Sequence, residues 1–528
     1  MTYRVLLIEP PSSCQELLAD ILQQHGAEVE IVQNVSKNDA VTLRWNYDMV
    51  CADARLAQDM GFGAVGDLRS EKGTPLWVMT ADRDNACVRR LVESCGASAL
   101  MTRPYSSRQW HSFIRYSMTK KRRLFDKQPP RILMYSHDTI GLGHTRRNAN
   151  IGESILRKRP DASILMLIGC PAGLVFDTPL GIDFIKLPSL VKQSRHDWRP
   201  EQLNISGSRM RDLRSRLIRE AVNAFEPHAM LVDHVPGGVW NELLPTFENL
   251  ATNDSHRPFV ALGLRDILDE PDLLRRRWQD DGTGEIIHRH YDEIFVYGDP
   301  DIYDTVTAYG LEEFAAGRVQ SLGYVANRAL PSSRDRLRQR LGIKDRPLVL
   351  ITGGGGRDAF GLMTVCLDAL ASLESAERPM ALLVPGPLMD PAARHVIHER
   401  AAAMGVFCFD RLPDLSAYCA AADMLIGMAG YNSSVEALAE GLPTLLIARN
   451  GPSAEQMIRA ECFQERGLVD SFCADDLEAG RLASYLRQVS VRERFTPAIN
   501  LDGAERAAAR LLEGARTRHD FLATPASA

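Results

Sequence analysis

Residues 423–469, DMLIGMAGYNSSVEALAEGLPTLLIARNGPSAEQMIRAECFQERGLV, constrain what this chain can fold into more than any other stretch. Compact apolar runs alternate there with glycine punctuation. MLIG reads as a strand, AGYNSS as a tight turn opening a helix, SVEALAE as that helix, GLP as its stop, TLLIA as a strand, and SAEQMIRAECFQERG as a second helix. Such a strand, turn and helix unit leaves backbone N–H groups at the helix start without intrahelical partners, facing whatever lies beyond the carboxyl end of the sheet. An anion is the natural guest there.

The same alternation recurs along the chain, and 528 residues are too many for one hydrophobic core. About three domains of roughly 150 residues are expected. Residues 3–118 carry five short strands, YRVLLIE, EVEIV, DMVCAD, PLWVMT and SALMT, alternating with five helices. That pattern predicts a doubly wound parallel sheet with function at the strand carboxyl ends, which carry Glu9, Asp53, Thr80 and Arg103-Pro104. Residues 119–130 form a basic linker, TKKRRLFDKQPP, read either as a solvated helix end or as a patch drawn to an anionic membrane surface. A second α/β domain spans 131–330, a third spans 331–516, and 517–528 are a tail.

In the second domain the strand RILMYS leads into HDTIGLGHTRRN, with Gly141 and Gly143 directly before His144. Glycines let the backbone turn and approach a ligand, and a histidine opening a helix can serve as a general base near neutral pH; a surface histidine on an ordinary loop has the same look. The strand MLVDH ends in Asp233-His234, and VALG leads into Arg265 and Asp266, so these four are candidates to line one cleft, with helix capping or an Arg265-Asp266 pair as the plainer reading. Asp299 and Asp301 are read as caps, and no metal site is expected. In the third domain PLVLIT precedes four glycines, Gly353 to Gly356, whose entropic cost suggests backbone brought close to a phosphate. The spacing fits neither the Walker nor the dinucleotide pattern. The third domain is thus read as a second Rossmann-like sheet.

A formal net charge of −6 argues against a general nucleic-acid binder. Ten cysteines show no CxxC pair or Cys/His ligand spacing, the pattern of buried free thiols in a reducing compartment. The amino terminus has no signal-peptide layout, and no apolar run approaches the roughly 18 residues of a spanning helix. The expected location is cytoplasmic, with peripheral contact at the inner face of the membrane if the basic linker serves that end.

Two resemblances sharpen these expectations. Residues 3–118 resemble a flavodoxin-like response-regulator receiver domain, with Asp53 at the phosphoacceptor position and Thr80 after the fourth strand. Pro10 stands where the family has a second acid, and Arg103 where it has lysine. Both departures fall on the phosphorylation machinery, since proline offers no magnesium ligand and arginine presents a planar fork. The domain is either a pseudo-receiver used for docking or homodimerisation, or a phosphorylation switch, and Mg²⁺ enters only in the second case. Asp53 as a plain helix-capping acid remains open as well.

Residues 131 to about 490 resemble a GT-B glycosyltransferase, nearest to the MurG-type enzymes. Gly430, Ser433, Ser434, Glu436, Gly441, Pro443 and Glu455-Gln456 carry the resemblance. It implies two Rossmann-like halves, with Gly354, Gly355, Gly356 and the amides of Asn432, Ser433 and Ser434 on a donor diphosphate. Glu436 would take the ribose hydroxyls, Glu455 and Gln456 the donor sugar, and His144 would be the base that activates an acceptor hydroxyl for inverting transfer. The loop GLGH is poorer in glycine than the family's, and Tyr431-Asn432 replace smaller residues. The implied partners are a nucleotide-sugar donor and an acceptor that is a glycan, lipid or small molecule, with no cofactor for the transfer. A nucleotide-sugar 2-epimerase, and a signalling protein that binds a nucleotide sugar without turnover, are the alternatives.

Overall fold

The computed structural model describes residues 3–24, 27–32, 47–55, 76–83, 85–95, 97, 99–103, 109–110, 113–114, 129–136, 143–170, 181–192, 198–252, 257–329, 333–343, 346–412, 414–451, 453–489 and 492–518. The chain divides into two compact units, residues 1–126 with 177–181, and the remainder.

In the smaller unit the five expected strands form: β1 (Tyr3–Ile8), β2 (Ala27–Val32), β3 (Met49–Asp53), β4 (Leu76–Ala81) and β5 (Ala99–Thr102). They pair in parallel in the order β2-β1-β3-β4-β5, with Asp53 aligned to Thr80. β3 is buried along its whole length, as a central parallel strand covered on both faces must be. Helices α1 (Ser13–Gln24) and α2 (Ala86–Cys95) are described, and Trp110, Phe113 and Ile114 close the core against β1 and β3. The other three helices expected of this unit, the linker at 119–128, Gly141 and the tail beyond 518 lie wholly or mostly outside the described residues.

The larger unit holds two parallel sheets. The first comprises β6 (Arg131–Ser136), β7 (Ser163–Ile168), β8 (Ile182–Lys186), β9 (Ala229–Asp233), β10 (Phe259–Arg265), β11 (Glu293–Tyr297) and β12 (Val319–Ser321), in the order β12-β11-β10-β9-β6-β7-β8. Helix α3 (Gly143–Lys158) connects β6 to β7. The second sheet comprises β13 (Leu348–Thr352), β14 (Met380–Val384), β15 (Phe407–Cys408), β16 (Met424–Gly427), β17 (Thr444–Ala448) and β18 (Asp470–Cys473), in the order β15-β14-β13-β16-β17-β18. Helix α4 (Phe360–Ser372) follows β13, α5 (Tyr431–Ala439) follows β16, and α6 (Glu455–Glu465) follows β17, as the glycine-punctuated stretch predicts. Gly441, which ends the α5 segment, adopts a left-handed φ of 61°.

The two orders decide where a ligand can go. In the first sheet, the order in which strands are added reverses between β6 and β9; in the second, between β13 and β16. Open parallel sheets bind ligands at such switch points, beyond the strand carboxyl ends, where the connecting segments leave on opposite faces. Asp233 and Ser136 are paired neighbours at the first of these ends, and Gly427 and Thr352 at the second.

The last helix, α7 (Gly503–Arg518), follows the second sheet in the chain but packs on α3, β9 and β10 of the first. Its alanine-rich face, Ala504, Ala507, Ala508 and Ala515 with Leu511, joins a core cluster that also takes in Tyr324 of the first half and Tyr431, Val435 and Phe463 of the second. A continuous apolar core therefore crosses between the halves. Asp299 accepts from the backbone of Asp301 and Asn500, whereas the short helix Thr305–Tyr309 is capped by Asp304 rather than by Asp301. Among the described residues no helix is long and apolar enough to cross a membrane, and no cluster of three or more His, Cys, Asp or Glu side chains could hold a metal ion.

Candidate functional site

Helix α3 departs from an ordinary amphipathic helix by burying polar groups: Arg147, Asn148 and Asn150 lie on its covered side. Polar groups are buried only when hydrogen-bonded or functional, so this helix marks a site. Asn148 reaches Ser136 Oγ at the end of β6 (2.8 Å), which fixes the entry of the helix. One turn earlier, His144 Nδ1 lies 3.0 Å from Oδ2 of Asp233, a fully buried residue at the end of β9. Arg147, itself buried, places a guanidinium nitrogen 2.7 Å from each Asp233 oxygen and 3.0 Å from His144 Nδ1.

His144 Nδ1 thus meets both a carboxylate oxygen and a guanidinium N–H; in the tautomer with its proton on Nδ1 the ring donates to Asp233. Nε2 then holds a lone pair, as a general base requires. Asp233, one of the four residues expected to line a cleft, is fully buried and holds His144 and Arg147. His234 stands beside them, its ring 5.1 Å from that of His144. Its φ of 74° is uncommon for a residue with a side chain, and Trp240 and Asn241 of the same segment also have positive φ.

The residues expected on the second half meet this cluster from the other side. The amino ends of α3 and α5 face each other: Asn432 Nδ2 donates to Gly143 O (3.0 Å), and Arg146 Nη2 donates to Glu436 Oε2 (2.8 Å). Arg265 donates to Glu455 Oε1 across 2.7 Å, and Arg459, fully buried, bonds both Glu455 and Asp266. The expected Arg265-Asp266 pair is thus not formed; each residue pairs across the two halves instead, because β10 ends opposite the first turn of α6. Asp269 extends the junction by accepting from Ser453 Oγ and Ala454 N at the start of α6. Burial opposes the charge of Glu455, but Arg265 and Arg459 outweigh it and hold the carboxyl below its ordinary range.

Tyr431, a departure from the family pattern at the sequence level, is the hinge pin of this junction. Its hydroxyl donates to Tyr297 O and accepts from Val325 N, each at 2.9 Å, while the guanidinium groups of Arg147 and Arg459 lie 5.4 and 5.5 Å from its ring centre. Arg147, Arg459 and the bridging role of Tyr431 were not legible in the sequence. The buried polar face of α3 was the only available signal, and it appears only once the helix is docked.

The glycine run keeps more distance from this network. Gly354 and Gly355 are exposed in the loop after β13, and Gly356, at φ 95°, lies against the Pro385-Gly386 turn after β14. A Cβ on Gly356 would sit 2.4 Å from Pro385 O, so only glycine fits. The run shares the sheet edge of α5 because β13 and β16 are neighbours. Gly430 opens α5 without a side-chain cap, Ser433 Oγ turns back to Gly430 O, and the buried Ser434 Oγ and Gln456 Oε1 make no hydrogen bond.

In the smaller unit, Asp53 is buried and gripped by Arg103 and Arg55, the Arg55 Nη2 to Oδ2 distance being 3.2 Å. Arg103 also lies 3.6 Å from Glu9 and 2.7 Å from Asp82. Burial raises the Asp53 carboxyl, but hydrogen bonds from Arg55 and Arg103 prevail and hold it below the usual range.

Fold and site together define a parallel α/β protein whose two larger domains meet around a histidine–aspartate pair. No protein-family model matches the chain. A UDP-N-acetylglucosamine–N-acetylmuramyl-(pentapeptide) pyrophosphoryl-undecaprenol N-acetylglucosamine transferase of Hahella chejuensis is 30% identical over 161 residues, 30% of this chain and 42% of that enzyme. The Moorella thermoacetica enzyme of the same name is 27% identical over 158 residues, 43% of its length. The regulatory protein VirG of Agrobacterium tumefaciens is 20% identical over 162 residues, 31% of this chain and 61% of that protein. The chain therefore matches less than two thirds of each of these relatives. Among solved structures, Arabidopsis thaliana UGT89C1 complexed with UDP aligns over 74% of this chain and 98% of its own, with 15% identity and a TM-score of 0.48. The calicheamicin glycosyltransferase CalG4 aligns over 74% and 95%, with 14% identity and a TM-score of 0.43.

Proposed function

We propose that the larger unit is a GT-B glycosyltransferase that moves a sugar from a nucleotide-sugar donor to an acceptor hydroxyl with inversion. The observation that carries this reading is the His144–Asp233 pair at the switch point of one sheet, set against the amino end of α5 at the switch point of the other. In this reading His144 Nε2 takes the acceptor proton as the hydroxyl oxygen attacks the anomeric carbon, and the nucleoside diphosphate leaves from the opposite face. Asp233 stabilises the imidazolium that forms. In this reading the amides of Asn432 and Ser433 in the first turn of α5, with Gly355 on the neighbouring strand end, would supply donors for the charge on the leaving diphosphate, whereas the amides of Ser434, Gly354 and Gly356 already bond Gly430 O, Thr352 Oγ1 and Gly353 O.

Ser434 Oγ and Gln456 Oε1, buried without hydrogen bonds, are groups for the donor to satisfy. Glu436 and Glu455 would receive ribose and sugar hydroxyls in exchange for part of their pairing with Arg146 and Arg265. The smaller unit would be a receiver-like docking or dimerisation module in which Arg103 fills the space a magnesium ion would need. Donor identity is tested by thermal-shift screening of nucleotide sugars, since a ligand that binds only the folded chain raises its melting temperature. Acceptor extracts added to the stabilising donor should then release free nucleoside diphosphate and a glycosylated product. Nucleotide release that is unaffected by any acceptor, or interconversion of the sugar at carbon 2, would overturn the transferase reading.

A further inference from the structure

Four arginine–carboxylate pairs line the junction of the two halves. Arg147 pairs with Asp233, Arg459 with Asp266, Arg265 with Glu455, and Arg146 with Glu436. Asp269 faces the amino end of α6. His234, from the segment after β9, stands beside His144, and Tyr297 of β11 and Tyr431 of α5 flank Arg147.

A histidine held by a buried aspartate alone behaves differently. The uncompensated carboxylate draws a proton onto the ring, because an adjacent opposite charge favours the charged form, and an imidazolium has no lone pair for an acceptor proton. In this chain the carboxylate is already committed: Arg147 reaches both Asp233 oxygens at 2.7 Å, and its guanidinium lies 3.0 Å from His144 Nδ1. At that distance its charge acts directly against an imidazolium. Arg147 is held there by the rings of Tyr297 and Tyr431, each centred 5.4 Å from the guanidinium carbon. One of those rings belongs to each half.

We infer that Arg147 is a positioning residue that keeps His144 neutral, so that the ring, with Nδ1 donating to Asp233, retains a lone pair on Nε2 for use as a base at neutral pH. Its value for catalysis rests on the transferase reading above; its effect on the ring does not. Asp233 thus orients the ring without protonating it, and the cation that makes this so is anchored at the junction of the two halves.

The test is histidine-selective ¹⁵N NMR of the full chain, because the two ring nitrogens have distinct shifts in the Nδ1–H, Nε2–H and imidazolium forms. The His144 signals are assigned by their loss in His144→Gln. In the wild-type chain at about pH 7 the ring should be neutral with its proton on Nδ1. In Arg147→Gln it should be imidazolium at that pH, with loss of the proton moved upward by about one pH unit or more. Arg147→Lys, which restores a cation, should return the ring toward the neutral form. A wild-type ring that is already imidazolium at about pH 7 would overturn the inference without any variant. So would a folded Arg147→Gln chain whose ring titrates as in the wild type. Should Arg147→Gln not fold, Arg147→Met removes the same charge with an apolar chain of similar length, and the same two outcomes apply. A neutral Nδ1–H ring that depends on Arg147, in a chain that transfers no sugar, would sink the transferase reading and leave this one standing.

Discussion

Glu436, on the first turns of α5, accepts a hydrogen bond from Arg146 of α3 at 2.8 Å, joining two residues 290 positions apart in the chain. The carboxylate is 1% exposed, and Arg146 is one partner that offsets the cost of burying its charge. Glu436→Ala is expected to weaken binding of a nucleoside diphosphate by about 1–3 kcal/mol, the cost of leaving ribose hydroxyls unmatched. Calorimetric titration of the folded variant decides it: an unchanged affinity removes Glu436 from the donor site and leaves it a purely structural partner of Arg146.

His144→Ala should lower turnover by about 10²–10⁴-fold, the usual contribution of a general base, while donor affinity stays nearly constant. Donor titration and single-turnover transfer, measured on the same preparation, separate the two effects. A collapse of donor binding with the saturated rate preserved would make His144 a binding residue.

The Glu455 carboxyl is held below its ordinary value of 4.5: burial alone would raise it, but Arg265 and Arg459 prevail. A group whose folded-state pKa is depressed adds stability that is fully present above the unfolded value and is lost as pH falls through the folded one. Glu455→Gln should therefore cost about 1.5–3 kcal/mol near neutral pH, and the gap from the wild type should narrow only below 4.5. Urea unfolding across the acid range measures this. A gap that persists undiminished in strong acid would show that the loss comes from packing rather than charge.

For the smaller unit, the grip of Arg103 and Arg55 on Asp53 leads us to expect slow or absent labelling of that carboxylate by small phosphodonors. A carboxylate is phosphorylated efficiently when a metal neutralises the incoming group, and here guanidinium groups occupy its oxygens. Asp53→Asn should leave sugar transfer nearly unchanged, whereas removing residues 1–118 should alter solubility or assembly. Intact-mass measurement after exposure to acetyl phosphate and magnesium tests the first statement. Rapid magnesium-dependent labelling with a matching change in transfer rate would make the chain a phosphorylation-controlled enzyme.

The sequence by itself determined the alternation of strands and helices, the parallel sheets that follow from it, and the strand ends where His144, Asp233, Asn432 and Glu436 would lie. Those features are written locally: an apolar run of five residues, a glycine turn and a helical stripe need no knowledge of distant residues. The tertiary structure alone decided which charges are buried and with whom. Arg147, in the run HTRRN, looks like a solvated cation in a helix turn until docking places it 86 positions from its partner Asp233; Arg459 finds Asp266 across 193. Likewise α7 follows the second sheet in order yet packs on the first, because its alanine face fits the groove beside α3. Burial turns an arginine from a surface group into a fixed electrostatic element, and burial is a property of packing between segments that no single segment encodes.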